Sequence, residues 1–173
     1  MRIIVIGCGS RGQRYTDIMA DAYGEDFEIV AVAEPIASRR NYMKEKHGLS
    51  GDMCFESWEP LLSLPRLADV ALISTMDRDH YAPAMRAIEL GYNLLLEKPI
   101  APTPEQCREI QLAAEKKGVF VLVCHVLRYT SFYSAVKKAI NDGKIGRVRS
   151  IEMTEHVGMA HFIDSFVRGK WNN

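Results

Sequence analysis

The chain has 173 residues, of which 47% are hydrophobic and 25% charged, and its 22 basic and 22 acidic side chains cancel to a formal net charge of zero. That balance gives no electrostatic reason to expect nucleic acid or an anionic membrane as partner, and no apolar run approaches membrane-spanning length. The length suits one complete domain, or one domain with part of a second. Met1-Arg2-Ile3 leads straight into an apolar run without signal-peptide character, and Cys8, Cys54, Cys107 and Cys124 show neither C-x-x-C pairing nor metal-ligand spacing. The expectation is a cytoplasmic protein with reduced, mostly buried thiols and no metal.

Strand and helix signals alternate from the first residues, which is the pattern of a parallel sheet covered on both faces. Ile3 to Ile6 reads as a strand and Arg11 to Ala22 as a helix. Phe27 to Ala33 is a second strand, ending at Glu34, and Ser38 to His47 a polar helix closed by Gly48. Val70 to Ser74 is a buried strand, Tyr81 to Leu90 a helix stopped by Gly91, and Asn93 to Leu96 a further strand. Thr103 then opens a helix: it can cap, Pro104 suits the first helical position, and Gln106 can complete a capping box. Cys107, Ile110 and Ala114 give that helix an apolar face, Lys116 and Lys117 fill its last turn, and Gly118 ends it. Val119 to Val123 is the last strand of the run. Phe132 to Asn141 reads as an amphipathic helix, and Arg147 to Glu155 alternates as a half-exposed strand does. From Gly158 onward the pattern dissolves, and Met159, Phe162, Phe166 and Trp171 have no later element to bury them.

The first strand runs into Gly7, Gly9 and Gly12, which spell G-x-G-x-x-G. A strand turning into a helix through these glycines is a dinucleotide-binding fingerprint. Gly7 permits the tight turn, Gly9 lacks a Cβ that would block a pyrophosphate, and Gly12 lets the helix pack closely. Phosphates would rest on the free N–H groups around Ser10 and Arg11, at the positive end of the helix dipole. Cys8 fills the loop's variable position, although helix N–H groups there favour a thiolate. Glu34 stands 22 residues beyond Gly12, which suits a carboxylate accepting from the adenosine ribose and repelling a 2′-phosphate. NAD is therefore expected as cofactor, while Arg39 and Arg40 keep NADP possible. Thr75 and Met76 follow another strand and border the same crevice. His80 begins the next helix and reads as a residue that holds the loop. Glu97-Lys98-Pro99 closes the Asn93 to Leu96 strand, so Lys98 is expected beside the nicotinamide, where an ammonium polarises a reacting oxygen.

This order of motifs resembles the glucose-fructose oxidoreductase / inositol dehydrogenase / MocA family: the glycine fingerprint, Glu34, Thr75 with His80, Glu97-Lys98-Pro99, Arg128-Tyr129, and Gly143-Lys144-Ile145-Gly146. The resemblance implies an NAD(P)-dependent oxidoreductase transferring hydride to or from a sugar, cyclitol or related polyol. It implies that Lys98 is the catalytic contact, that Glu97 and Pro99 adjoin the cofactor, and that the bond before Pro99 is often cis. His125 and Arg128 match positions on the substrate side, although Val126 stands where the family usually has asparagine. A looser likeness places His161, Arg168 and Trp171 there too. The implied architecture is a doubly wound parallel α/β domain over residues 1 to 124, then the incomplete start of an α+β substrate and oligomerisation domain over 125 to 173. The family's proton-transferring histidine falls beyond the motifs present, and a homo-oligomer is expected where the second domain's sheet exists. Two other readings stay open: a redox-assisted glycosidase holding NAD, and a non-catalytic dinucleotide-binding or regulatory module.

Overall fold

The computed structural model describes residues 1–168, apart from the side chains of His161, Asp164 and Ser165. Its first unit, Met1–Val126, is built on six parallel strands. They are β1 (Arg2–Ile6), β2 (Glu28–Ala33), β3 (Cys54–Phe55), β4 (Val70–Ile73), β5 (Asn93–Leu96) and β6 (Val121–Val123). Between them run α1 (Ser10–Tyr23), α2 (Ala37–Lys46), α3 (Trp58–Leu61), α4 (Tyr81–Glu89) and α5 (Pro104–Lys117). The sheet order is β3-β2-β1-β4-β5-β6. The chain thus winds outward from β1 in one direction and from β4 in the other. Ligands of such sheets bind outside the strand carboxyl ends where the winding reverses, which here means beyond β1 and β4.

Period-2 alternation along β1 divides the core between the two faces. Ile4 and Ile6 join Ala31, Ile73 and Leu96 against Ala84, Ala87 and Ile88 of α4 and Ile110 and Ala114 of α5. Ile3 and Val5 point the other way, with Val32 and Leu72, against Met43 of α2. Each fully buried Leu or Ile contributes about 1.5–3 kcal/mol of transfer free energy. Near-continuous apolar strands are the signature of a sheet covered on both faces. Coverage thins toward the β6 edge, where Leu122 is 55% and Phe120 81% exposed.

The helix ends follow local chemistry. Thr103 Oγ1 accepts from the Gln106 N–H at 3.3 Å, and Pro104 takes the first helical position. Gly118 closes α5 at φ +71°, its N–H reaching the Ala114 and Glu115 carbonyls. The reciprocal half of the expected capping box is not made, because Gln106 Oε1 is buried without a partner. Between α2 and β4 the structure adds β3 and α3, which have no signal in the sequence pattern. Two strand residues and a single helical turn are too short to show a period.

The second unit spans Leu127–Asn173. It contains α6 (Ser131–Asn141), capped by Thr130 Oγ1 accepting from the Tyr133 N–H, and α7 (Met159–Phe162), which runs on into a π turn over Ile163–Val167. The strand expected over residues 147–155 is absent: after a bend at Arg147 that stretch has no regular secondary structure. An alternating segment becomes a strand only with a partner, and the described residues offer none. Ile151 and Met153 stay 73% exposed. Among the described residues no helix is long and apolar enough to cross a membrane.

Candidate dinucleotide site at the sheet switch point

The loop between β1 and α1 owes its shape to its glycines. Gly7 has φ +88°, and a Cβ there would stand 2.7 Å from the Ser74 carbonyl and the Thr75 nitrogen. A Cβ on Gly12 would stand 2.3 Å from the Gly7 carbonyl oxygen. Ser74 fastens the turn, its N–H donating to the Ile6 carbonyl at 2.9 Å and its Oγ to the Gly7 carbonyl at 2.7 Å. Gln13 Nε2 adds a bond to the Cys8 carbonyl at 2.9 Å. Gly9 differs from the other two glycines. Its φ is an ordinary −73°, and a Cβ there meets only Arg39 Nη1, at 3.7 Å. The space in front of Gly9 is therefore open.

Gly9 also precedes the first turn of α1 without any side-chain cap. The Gly9, Ser10, Arg11 and Gly12 N–H groups have no intrahelical acceptor, as at every helix start, and they gather at the positive end of the dipole. Ser10 and Arg11 are exposed. An open cradle lined with unpaired amides fits a pyrophosphate.

Glu34, at the carboxyl end of β2, is 3% exposed and turned toward this loop. Its Oε2 accepts from the Cys8 N–H at 2.7 Å and its Oε1 from the Ile36 N–H at 3.0 Å. The carboxylate therefore anchors the glycine loop, a task that sequence reasoning missed. Two of its roughly four acceptor positions remain free. The expected pair of arginines separates. Arg40 is spent locally, donating to the Glu34 carbonyl at 2.6 Å and to Glu56 at 3.0 Å. Arg39 is exposed and stands by Gly9. Cys8 is no activated thiol, since burial first and the Glu34 charge second push it well above the usual thiol range.

On the other side of the switch point, Thr75 Oγ1 donates to the Asp79 carbonyl at 3.1 Å, and Met76 is half-buried. His80 is fully buried, so it holds the site together rather than facing a ligand. Its Nδ1 lies 2.7 Å from the Pro99 carbonyl oxygen and its Nε2 3.2 Å from that of Thr75, tying two loops into one rim. Glu97, also buried, uses Oε2 to accept from the Lys98 N–H at 2.9 Å. Its Oε1 accepts from the Tyr15 hydroxyl. The Lys98–Pro99 bond is cis, as the resemblance implied, and the Lys98 side chain is exposed at the end of β5. No group of three or more candidate metal ligands occurs among the described residues.

The substrate-side candidates are divided between the two units. His125 stands exposed one residue before the end of the first unit, while Arg128 belongs to a 3-10 turn, Val126–Tyr129, that enters the second. His161 lies in α7, its side chain outside the described set, and Trp171 lies outside the described residues altogether. Tyr15 and Ser74 were not anticipated. The available signal was position: Tyr15 stands three residues after Gly12, and Ser74 ends a strand at the reversal point.

Comparison with known proteins bears on the family and the fold. The chain is 32% identical over 120 residues to the 1,5-anhydro-D-fructose reductase of Ensifer adhaerens, covering 69% of this chain and 35% of that one. It is 27% identical over 150 residues to the D-glucoside 3-dehydrogenase of Escherichia coli, covering 86% and 41%. The WlbA dehydrogenase of Bordetella pertussis, solved with NADH and UDP-GlcNAcA, superposes with a TM-score of 0.77 at 24% identity, over 85% of this chain and 42% of that one, which shows the shared fold. The chain spans less than half the length of these proteins. Residues 1–125 match the family described as oxidoreductases with an NAD-binding Rossmann fold, and the chain belongs to that GFO_IDH_MocA family.

Proposed function

We propose that this chain supplies the cofactor-binding half of an NAD-dependent dehydrogenase acting on a sugar, cyclitol or related polyol. The observation that carries the proposal is that the open Gly9 cradle, the Glu34 carboxylate and Lys98 all follow the carboxyl ends of parallel strands, β1, β2 and β5. The amides of Gly9, Ser10, Arg11 and Gly12 hold the pyrophosphate. Glu34 keeps the loop closed through Cys8 and offers its free lone pairs to the adenosine ribose. The same carboxylate disfavours a 2′-phosphate, so NAD binds more tightly than NADP. Thr75 and Met76 border the middle of the cofactor.

When bound, the nicotinamide supplies the hydride acceptor or donor. Lys98 hydrogen-bonds the reacting oxygen and stabilises the negative charge that develops on it. Glu97 fixes the backbone of Lys98, and His80 fixes Pro99. His125, Arg128, His161 and Trp171 are proposed for the substrate side, by resemblance alone. The reductase and dehydrogenase names of the relatives support a sugar-like substrate. Calorimetric titration tests the reading: one site per chain for NAD and a weaker one for NADP are expected. Tighter binding of NADP would overturn the role given to Glu34, and heat from neither would overturn the cofactor seat.

A further inference from the structure

The Glu97 carboxylate is buried and has no cationic partner among the described residues. A buried charge persists only when hydrogen bonds replace its lost water. Two do so here: the Lys98 N–H on Oε2 and the Tyr15 hydroxyl on Oε1. Tyr15 reaches Glu97 from α1, 82 residues away in sequence. Its hydroxyl is held protonated by burial first and the bond to Glu97 second, both of which push it well above the usual phenol range. Cys124, at the end of β6, adjoins the same pair: burial and then the Glu97 charge push its thiol up to about 11. One phenol thus links the helix that begins at the glycine loop to the carboxyl ends of β5 and β6.

We infer that Tyr15 is a positioning residue for the nicotinamide end of the cofactor seat: it orients Glu97, and through Glu97 the backbone that carries Lys98. The inference rests on the dinucleotide reading above. His80 holds the same segment at Pro99, so Glu97-Lys98-Pro99 is clamped at both ends, from α1 and from the start of α4. Removing the Tyr15 hydroxyl leaves a buried carboxylate short of one donor. Glu97 then rotates or draws in water, and Lys98 loses its fixed backbone. The glycine loop does not depend on that hydroxyl, because Ser74, Glu34 and Gln13 hold it.

The test is a titration of the full chain and its Tyr15→Phe variant with NAD and, separately, with ADP-ribose, which lacks the nicotinamide. Loss of a hydrogen bond to a charged group predicts NAD binding weakened by about ten- to a hundredfold, with ADP-ribose unchanged within about twofold. Without ligand, amide hydrogen exchange at Lys98 should quicken in Tyr15→Phe. Tyr15→His, which keeps a ring donor, should recover part of both effects. Equal NAD affinity in wild type and Tyr15→Phe, equal loss of both ligands, or unchanged Lys98 exchange would overturn the inference while leaving the cofactor reading intact. A wild-type chain that binds neither ligand would overturn both.

Discussion

Alanine at Gly9 and at Gly12 separates what the glycine loop does for folding from what it does for binding. In Gly12→Ala the new Cβ would stand 2.3 Å from the Gly7 carbonyl oxygen and 2.8 Å from Ser74 Oγ. The first of these is backbone, held in place by Ser74 at 2.7 Å, so α1 itself must shift. Overpacking of this kind costs about 1–3 kcal/mol. At about 2–4 °C per kcal/mol for a chain of this size, Tm should fall by roughly 5 °C. In Gly9→Ala the Cβ enters open space at φ −73°, with only Arg39 Nη1 at 3.7 Å. Stability should therefore stay within about 0.5 kcal/mol of wild type. The methyl group occupies the space assigned to the pyrophosphate, and the same overpacking range then weakens NAD roughly 5- to 150-fold. Thermal denaturation and calorimetric titration of both variants give the four numbers. A Gly9→Ala protein that binds NAD like wild type, or that loses as much Tm as Gly12→Ala, would refute the reasoning.

Further expectations follow from single groups. Glu34→Gln presents an amide nitrogen to one of two backbone N–H donors, those of Cys8 and Ile36, and should cost about 1.5–3 kcal/mol in chemical denaturation. The variant should also narrow the preference for NAD over NADP, and an unchanged ratio in the titration would remove Glu34 from the ribose site. His47 is half-buried with Nε2 unpartnered among the described residues, and burial lowers its pKa below the ordinary imidazole value. The unfolded chain therefore takes up the proton first as pH falls. The stability that His47 contributes is complete above about pH 6.5 and is lost progressively below it. His47→Phe should flatten that part of the pH profile, and an unchanged slope between pH 7.5 and 5.5 would contradict the assignment. Cys8 and Cys124, buried with raised pKa values, should resist alkylation at pH 8 until the chain unfolds, as mass spectrometry of peptides would show.

Much of the fold could be read from the sequence because its dominant forces are local. β5 runs from Asn93 to Leu96 as expected, and α5 begins and ends where Thr103, Pro104 and Gly118 dictate. The cofactor loop was legible for a similar reason, since three glycines at fixed spacing after an apolar strand leave few backbone solutions. Non-local pairing was not legible. Arg147 to Glu155 carries the alternation of a strand, yet alternation prescribes a face and not a partner, and no partner is found. Cys54–Phe55 has almost no pattern and becomes a strand because β2 offers it an edge. The site divides along the same line. Glu34 was identified by its position at a strand end, but its second task depends on an N–H 26 residues away. Tyr15 was invisible because its partner is 82 residues off, and helical spacing alone does not tell a hydroxyl from a packing ring. His80 was expected to hold a loop, but that it ties Thr75 to Pro99 follows only from the fold.

The proposed seat puts a dinucleotide across the carboxyl ends of β1 and β4. Backbone amide shifts of the isotope-labelled chain, followed through an NAD titration, test it most directly. Saturable shifts are expected, largest at Gly9, Ser10 and Arg11, with a second group at Thr75 and Lys98. Shifts confined to the groove at the opposite strand ends, around Arg2, His47 and Leu49, or none at all, would contradict it.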